Sequence, residues 1–170
     1  EEIAVALDAQ EIDCMAYELA ALREKKGRLF CLGLGGGAAN ASHAANDFRK
    51  LCGIDACCPS DNIAELTARA NDEWLFTVFS GYLTVCGLSS KDALFVFSVG
   101  GGTPNVSVSI VNALDGAKEK GAKIFGIVGS DGGHTRKLAD RVVRIPTPPE
   151  RITPHTEAFQ MVVLHCLVSH

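Results

Sequence analysis

The sequence predicts an α/β fold, a three-layer α/β/α sandwich with helices covering both faces of a five-stranded parallel sheet. Three observations carry this expectation. Short apolar runs alternate with stretches of helical periodicity along the chain, the order that builds parallel strands joined by helical crossovers. Glycine-rich turns follow the first and third apolar runs, and each leads into a helical pattern. Finally, 170 residues with 47% hydrophobic and 21% charged side chains suffice for one folded domain with a full core.

The elements follow in order. Ile3, Leu7, Ile12, Met15, Leu19 and Leu22 recur near helical spacing, so residues 2–25 read as an N-terminal helix. Its small alanine surfaces suit packing against a second subunit as well as against its own domain. Strand one is Arg28–Gly33, and Gly33-Leu34-Gly35-Gly36-Gly37 leads to a helix over about 38–51. A short second strand, Ile54–Cys58, precedes helical patterns over 63–70 and 73–88, in which Trp74 reads as a core residue. Ala93–Ser98 is strand three and Pro104–Lys120 its helix, with Thr103 as N-cap, Pro104 at the first helical position and Gly121 just past the end. Ala122–Val128 and Arg141–Ile145 are strands four and five, separated by a short helix near 135–139. A last helix runs from about Pro154 to the end.

A net charge of −4 leaves no broad cationic footprint for nucleic acid. No apolar run reaches the roughly eighteen residues of a membrane span, and Glu1-Glu2 is unlike the basic start of a secretory signal. Seven cysteines include no CxxC pair, and several lie in apolar runs, Cys31 between Phe30 and Leu32 among them. They read as reduced thiols serving as small hydrophobes, and the chain as cytoplasmic.

Chemistry concentrates at the two glycine turns. In Ser98-Val99-Gly100-Gly101-Gly102-Thr103-Pro104-Asn105-Val106, glycines allow close backbone approach, and consecutive amides at Gly100, Gly101 and Gly102 make an anion nest ahead of a helix N-terminus. The first turn lacks the spacing of a dinucleotide loop, fitting only its alanine variant through Ala38, which argues against a nicotinamide site. The pair of turns is better explained by a phosphate cradle.

Taken together, residues 33–47 (Gly33 through His43 to Asp47) and 98–106 resemble the sugar isomerase (SIS) superfamily, and within it the phosphoheptose isomerase group. That group carries GNGGSAADAxHxAAE after its first strand and STSGNSPNV after a later one. Ser60-Asp61-Asn62 and Asn71-Asp72 fall where it has TDxS and ND, and Gly129-Ser130-Asp131-Gly132-Gly133 is similar to its GxxGG turn. The resemblance spans nearly the whole chain in order. It implies a flavodoxin-like topology, a single SIS domain over 1–170 (N-terminal oligomerisation helix 1–26, α/β core 27–170), and a homotetramer or dimer with active sites between subunits. It further implies that a small sugar phosphate is bound by Gly36, Gly37, Ser98, Gly100, Gly101, Gly102, Thr103 and Asp72. Leu34, Gly37, Val99 and Gly100 stand where the family has Asn, Ser, Thr and Ser, so polar groups of the family's sugar site are replaced.

The implied activity is aldose–ketose isomerisation by proton transfer through an enediol(ate). His43 and Asp47, four apart on one helix, share a face and match the family's helix-borne His and Glu. His165 matches its catalytic and metal-binding histidine, and Glu157 stands where the family has glutamine. His165 with Asp47 or Glu157 would then be the catalytic pair, and His43, Asp47, Glu157 and His165 a zinc (Zn2+) site of two imidazoles and two carboxylates. His155 is an alternative ligand, Gln160 a polar neighbour of Glu157, and His134 an ordinary surface residue. Two other readings stay open: a non-catalytic SIS module that binds a phosphosugar or a protein, and an SIS enzyme for a divergent sugar.

Overall fold

The computed structural model describes residues 1–170. Five strands, β1 (Arg28–Gly33), β2 (Asp55–Cys57), β3 (Ala93–Ser98), β4 (Lys123–Val128) and β5 (Arg141–Arg144), form one sheet in the order β2-β1-β3-β4-β5. Every neighbouring pair is parallel. The direction of winding reverses between β1 and β3, the place where open α/β sheets form a crevice outside their strand ends.

Helices α1 (Glu2–Val5), α2 (Ala9–Glu24), α3 (Gly36–Lys50), α4 (Ile63–Arg69), α5 (Val78–Val85), α6 (Val108–Glu119), α7 (Gly133–Leu138) and α8 (Ile152–Val168) complete the layers. One face of the sheet buries Leu29, Cys31, Phe95, Phe97 and Phe125 against Met15, Leu19, Phe48, Val163 and Leu164 of α2, α3 and α8. The other buries Phe30, Leu32, Leu94 and Val96 against Phe79, Leu83, Ile110 and Leu114 of α5 and α6. Phe95 and Phe97 stack at 4.9 Å between ring centroids. Cys31 lies wholly inside, and burial pushes its thiol pKa well above the ordinary value.

Glycine sets how closely α3 approaches the sheet. A Cβ at Gly33 would collide with the Gly37 carbonyl, and one at Gly37 with the Phe97 carbonyl oxygen. The first turn of α3 therefore rests directly on the ends of β1 and β3.

Several boundaries differ from the sequence pattern. The N-terminal helix is two pieces, because Asp8 accepts the Glu11 N–H at 3.0 Å and starts α2 afresh. Glu11 then reaches the edge strand, accepting from Val142 N–H at 3.0 Å. The helix expected from Pro104 begins at Val108, because Ser107 is left-handed at φ 58° and an L-residue in that conformation interrupts a right-handed helix. Thr103 caps a separate turn instead, its Oγ1 accepting from Val106 N–H at 3.0 Å. The helix expected over 73–88 is divided by a π-turn at Ala70–Trp74 and a 3₁₀ turn at Leu75–Thr77. Trp74, read as a core residue, is 74% exposed, and Leu75 and Phe76 beside it are also exposed. That divided backbone turns these side chains outward, away from the apolar face that a continuous helix would have buried.

At the amino edge of the sheet, Asp92 is 4% exposed at its side chain and accepts from Arg28 N, Nε and Nη2 and from Ser89 N and Oγ. Burial pushes its carboxyl upward, and the Arg28 and Ser89 hydrogen bonds more than reverse this, holding it below its ordinary value. The Asp92 contribution to stability is thus complete above the ordinary carboxyl pKa of 3.8 and is lost as pH falls below it through the lowered folded value. Asp92→Asn should cost about 2–3 kcal/mol at pH 7, and urea titrations at pH 7 and pH 3 should show that penalty shrinking in acid.

Candidate active site

Two features meet the expectation of a site at the strand ends. The first is a cleft of about 280 Å³ at the β1–β3 reversal, lined by Leu34 and Gly37 from one turn and Ser98, Val99, Gly100, Gly102, Thr103, Val106 and Ser107 from the other. No lysine or arginine lines it. Its anion-attracting groups are backbone amides, since Gly100 and Gly102 N–H donate to nothing within the chain and α6 starts at the cleft edge. Ser98 Oγ accepts from Gly101 N–H at 3.0 Å, so this hydroxyl shapes the loop from inside.

The second feature is a cluster between α3 and α8. Asp47 Oδ2 lies 3.1 Å from His43 Nε2 and 3.8 Å from His165 Nε2. The two imidazoles meet edge to face at 5.6 Å between centroids. Asp47 is buried and both histidines are exposed. The other carboxylate oxygen, Oδ1, accepts from Asn46 Nδ2 at 3.0 Å, which turns Oδ2 toward the rings. His43 lies seven residues from the start of α3, so the cluster is about 10 Å along the helix from the cleft.

The α3–α8 contact is fixed by a part-buried polar bridge. Asn40 Nδ2 donates to Gln160 Oε1 at 2.8 Å and to the Glu157 carbonyl at 3.0 Å. Gln160, fully buried, donates in turn to the Ile127 carbonyl of β4 at 3.0 Å. Gln160 therefore couples α8 to Asn40 and the sheet, and its side-chain hydrogen bonds go there rather than to the Glu157 carboxylate. Asn40 and Asn46 were not singled out from the sequence; the alternation of alanine with polar residues on α3 was the available signal.

Glu157, His155 and Asp72 lie outside both cluster and cleft, and Gly36 and Gly101 are not among the residues that line the cleft. The Glu157 carboxylate stands against Gly36, where any Cβ would strike it, and only His43, Asp47 and His165 gather their ligand atoms within 4.8 Å. The reason is helical spacing: eight residues separate Glu157 from His165, about 12 Å along α8. His155 likewise stays out of the cluster, with Nδ1 buried and unpartnered. Asp72 is exposed in the 70–74 turn, where it accepts from Asn71 at 2.7 Å and takes no part in lining its own cleft. His134 is more engaged than expected, with Nε2 2.7 Å from Asp115 Oδ1.

A phosphoheptose isomerase from Haemophilus ducreyi is 31% identical over 146 residues, 84% of this chain and 72% of that protein. The chain belongs to the phosphoheptose isomerase family. The lincomycin biosynthesis protein LmbN of Streptomyces lincolnensis is 34% identical over 154 residues, covering 85% of this chain and 56% of LmbN. Phosphoheptose isomerase GmhA from Neisseria gonorrhoeae has the same fold, with a TM-score of 0.83 at 22% identity over 95% of this chain and 84% of its own. No family model matches.

The His–Asp–His cluster fits a first-row metal ion. Two bonds of about 2.1 Å to one ion let its ligands stand at most about 4.2 Å apart; both Asp47 separations satisfy this, and the three ligand atoms lie within 4.8 Å of one another, so the two exposed imidazoles need close in only slightly. Equilibrium dialysis against cobalt should find His43→Ala, His165→Ala and Asp47→Asn unable to retain the ion, and Glu157→Gln retaining it. Asn46→Ala, which frees Asp47 to rotate, should weaken affinity about tenfold.

Proposed function

We propose that this protein is a phosphosugar isomerase that interconverts the aldose and ketose forms of a sugar phosphate, as the sedoheptulose 7-phosphate isomerases it resembles do. The observation that carries this is the placement of Asp47 Oδ2 between His43 and His165 on the helix that starts at an amide-lined cleft. The phosphate lies in the cleft on the Gly100 and Gly102 amides and the start of α6, with Gly37, Ser98 and Thr103 shaping its walls; the Gly101 amide is spent on Ser98, and Gly36 stands outside the wall. The sugar extends along α3 toward the cluster.

Isomerisation moves one proton between the carbonyl carbon and its neighbour, and one between their oxygens. A base takes the carbon-bound proton, an acid returns it to the adjacent carbon, and the negative charge on the enediolate oxygen must be stabilised meanwhile. In the metal-free site His165 Nε2, exposed and 3.8 Å from Asp47 Oδ2, is one proton carrier. The second is a carboxylate, Asp47 or Glu157, whose side chains bracket the path from cluster to cleft. Asp47 orients both imidazoles. An ion such as zinc, held by His43, Asp47 and His165, would supply positive charge to the enediolate oxygen and would leave Glu157 as the proton-carrying carboxylate. Half-buried Glu157 beside Gly36 serves the substrate end of the site.

Residues 1–170 act as a single SIS domain, and the molecule works as a homo-oligomer, tetramer or dimer. Exposed Trp74, Leu75 and Phe76 support this, since contiguous apolar surface of that kind suits a subunit contact. In such an assembly Asp72 is available to a neighbour's cleft. Cys31 and Cys58, buried as small apolar groups, support a cytoplasmic location.

Leu34 and Val99 favour a second reading for the substrate alone: they make two walls of the cleft apolar, which suits an SIS enzyme for a sugar other than the heptulose. LmbN, whose name places it in lincomycin biosynthesis, is a relative at similar identity. Thermal shifts across heptose, hexose and pentose phosphates distinguish the two, a ligand at a hundred times its Kd adding about 2.7 kcal/mol.

With the substrate so identified, His165→Ala and Asp47→Asn should each lower kcat at least about a hundredfold. Native enzyme should incorporate solvent deuterium at the carbon that receives the proton. Unchanged turnover in both variants would remove the cluster from the mechanism.

A further inference from the structure

The cleft is built from amides, so its affinity depends on which way those amides point. Peptide groups are planar and trans, with no cis bond in this chain, so the carbonyl of one residue and the N–H of the next point in opposite directions. Whatever grips a carbonyl on the outside of the loop aims the following N–H inward.

Two such grips come from the residue that follows β4 and from α7. Gly129 N–H donates to the Val99 carbonyl at 3.0 Å, which turns the Gly100 N–H the other way. Thr135 donates twice to the Gly101 carbonyl, from N–H at 2.9 Å and from Oγ1 at 2.7 Å, which turns the Gly102 N–H the other way. Gly100 and Gly102 line the cleft, and neither amide has an acceptor within the chain. His134 N–H holds the next carbonyl, Gly102, at 2.8 Å, and its ring pins α7 to α6 through Asp115.

The fit is close. Gly101 and Gly133 are both left-handed, at φ 69° and 50°. A Cβ at Gly101 would strike the Gly132 carbonyl, and one at Gly133 the Gly100 and Gly102 carbonyls. Thr135 is fully buried, and a Cβ on Gly126 of β4 would lie 2.7 Å from its methyl. Its methyl thus seats on the sheet while its hydroxyl faces the loop.

We infer that Thr135 is a positioning residue for phosphate recognition: through the Gly101 carbonyl it aims the Gly102 amide into the cleft. The inference rests on the phosphosugar reading and adds to it a residue that touches no substrate. In this chain Val99 and Gly100 stand where hydroxyl side chains would bind phosphate, so amide direction carries more of the recognition.

Thr135→Val keeps the methyl and the branched shape and puts a second methyl in place of the hydroxyl. Inorganic phosphate should shift the Gly100 and Gly102 amide resonances of the native chain. In Thr135→Val its affinity should fall about five- to tenfold, the worth of one buried hydrogen bond. KM for the sugar phosphate should rise by the same factor, with kcat changed less than about twofold. Thr135→Ser should restore both values. If Thr135→Val does not fold, Thr135→Ala removes the hydroxyl together with the methyl, and its comparison with Thr135→Ser isolates the hydroxyl. A folded variant that binds phosphate as the native chain does overturns the inference and leaves the isomerase reading standing. So does a parallel loss of kcat that serine does not rescue. A native chain whose Gly100 and Gly102 amides ignore phosphate overturns the inference together with the phosphate cleft itself.

Discussion

The site depends on how closely α3 can lie on the sheet. Gly33 and Gly37 leave no side chain between the end of β1, the first turn of α3 and the Phe97 carbonyl, so the helix starts in contact with the strand ends. That contact places Gly37 in the cleft wall and fixes the height of His43 and Asp47 two and three turns further on. A single methyl at Gly37 would lift the helix from a backbone oxygen that has no freedom to move. The same seating brings α3 beside α8, where Asn40 and Gln160 lock the pair to each other and to β4. Packing geometry thus comes first, and the chemistry inherits its distances from it.

The two halves of the site use charge differently. The cleft has no cationic side chain and attracts anions through amides and the start of α6; this is a fixed, short-range arrangement that costs little reorganisation when ligand arrives. The cluster places one buried carboxylate between two exposed imidazoles. Asn46 hydrogen-bonds one oxygen of that carboxylate, and two ring nitrogens face the other. A group held in this way also offers a metal ion its ligand atoms already gathered.

How much of this was legible depends on the range over which each signal acts. The five strands are local apolar runs, and all five lie where the sequence pattern puts them. His43 and Asp47 pair across one helical turn, so spacing alone brings them together. His165 joins them from the far end of the chain, and only the resemblance to a known family pointed there. The start of α6 was missed because the left-handed Ser107 follows a turn closed by Thr103, and a Thr-Pro pair caps a turn as readily as a helix. The break before α2 was readable in Asp8 and Glu11, a capping pair hidden beneath a continuous apolar period. Trp74 was misread because apolarity predicts burial only while the helix continues, and a π-turn ends it.

The sequence by itself determined the class of fold, the two glycine turns, the apolar character of Leu34 and Val99, and the identity of the groups able to move protons. Those properties are written in residue type and short spacing, and local sterics and hydrophobicity act on them directly. Tertiary structure decided which of the groups meet. Glu157 and His165 share a helix, yet two turns of rise send one to the α3 N-terminus and the other to Asp47. The direction of the cleft amides was likewise decided at a distance, by Gly129 and Thr135 gripping carbonyls some thirty residues away in sequence. Hydrogen bonds between remote segments depend on how the layers pack, and packing is a property of the whole core rather than of any one stretch of chain.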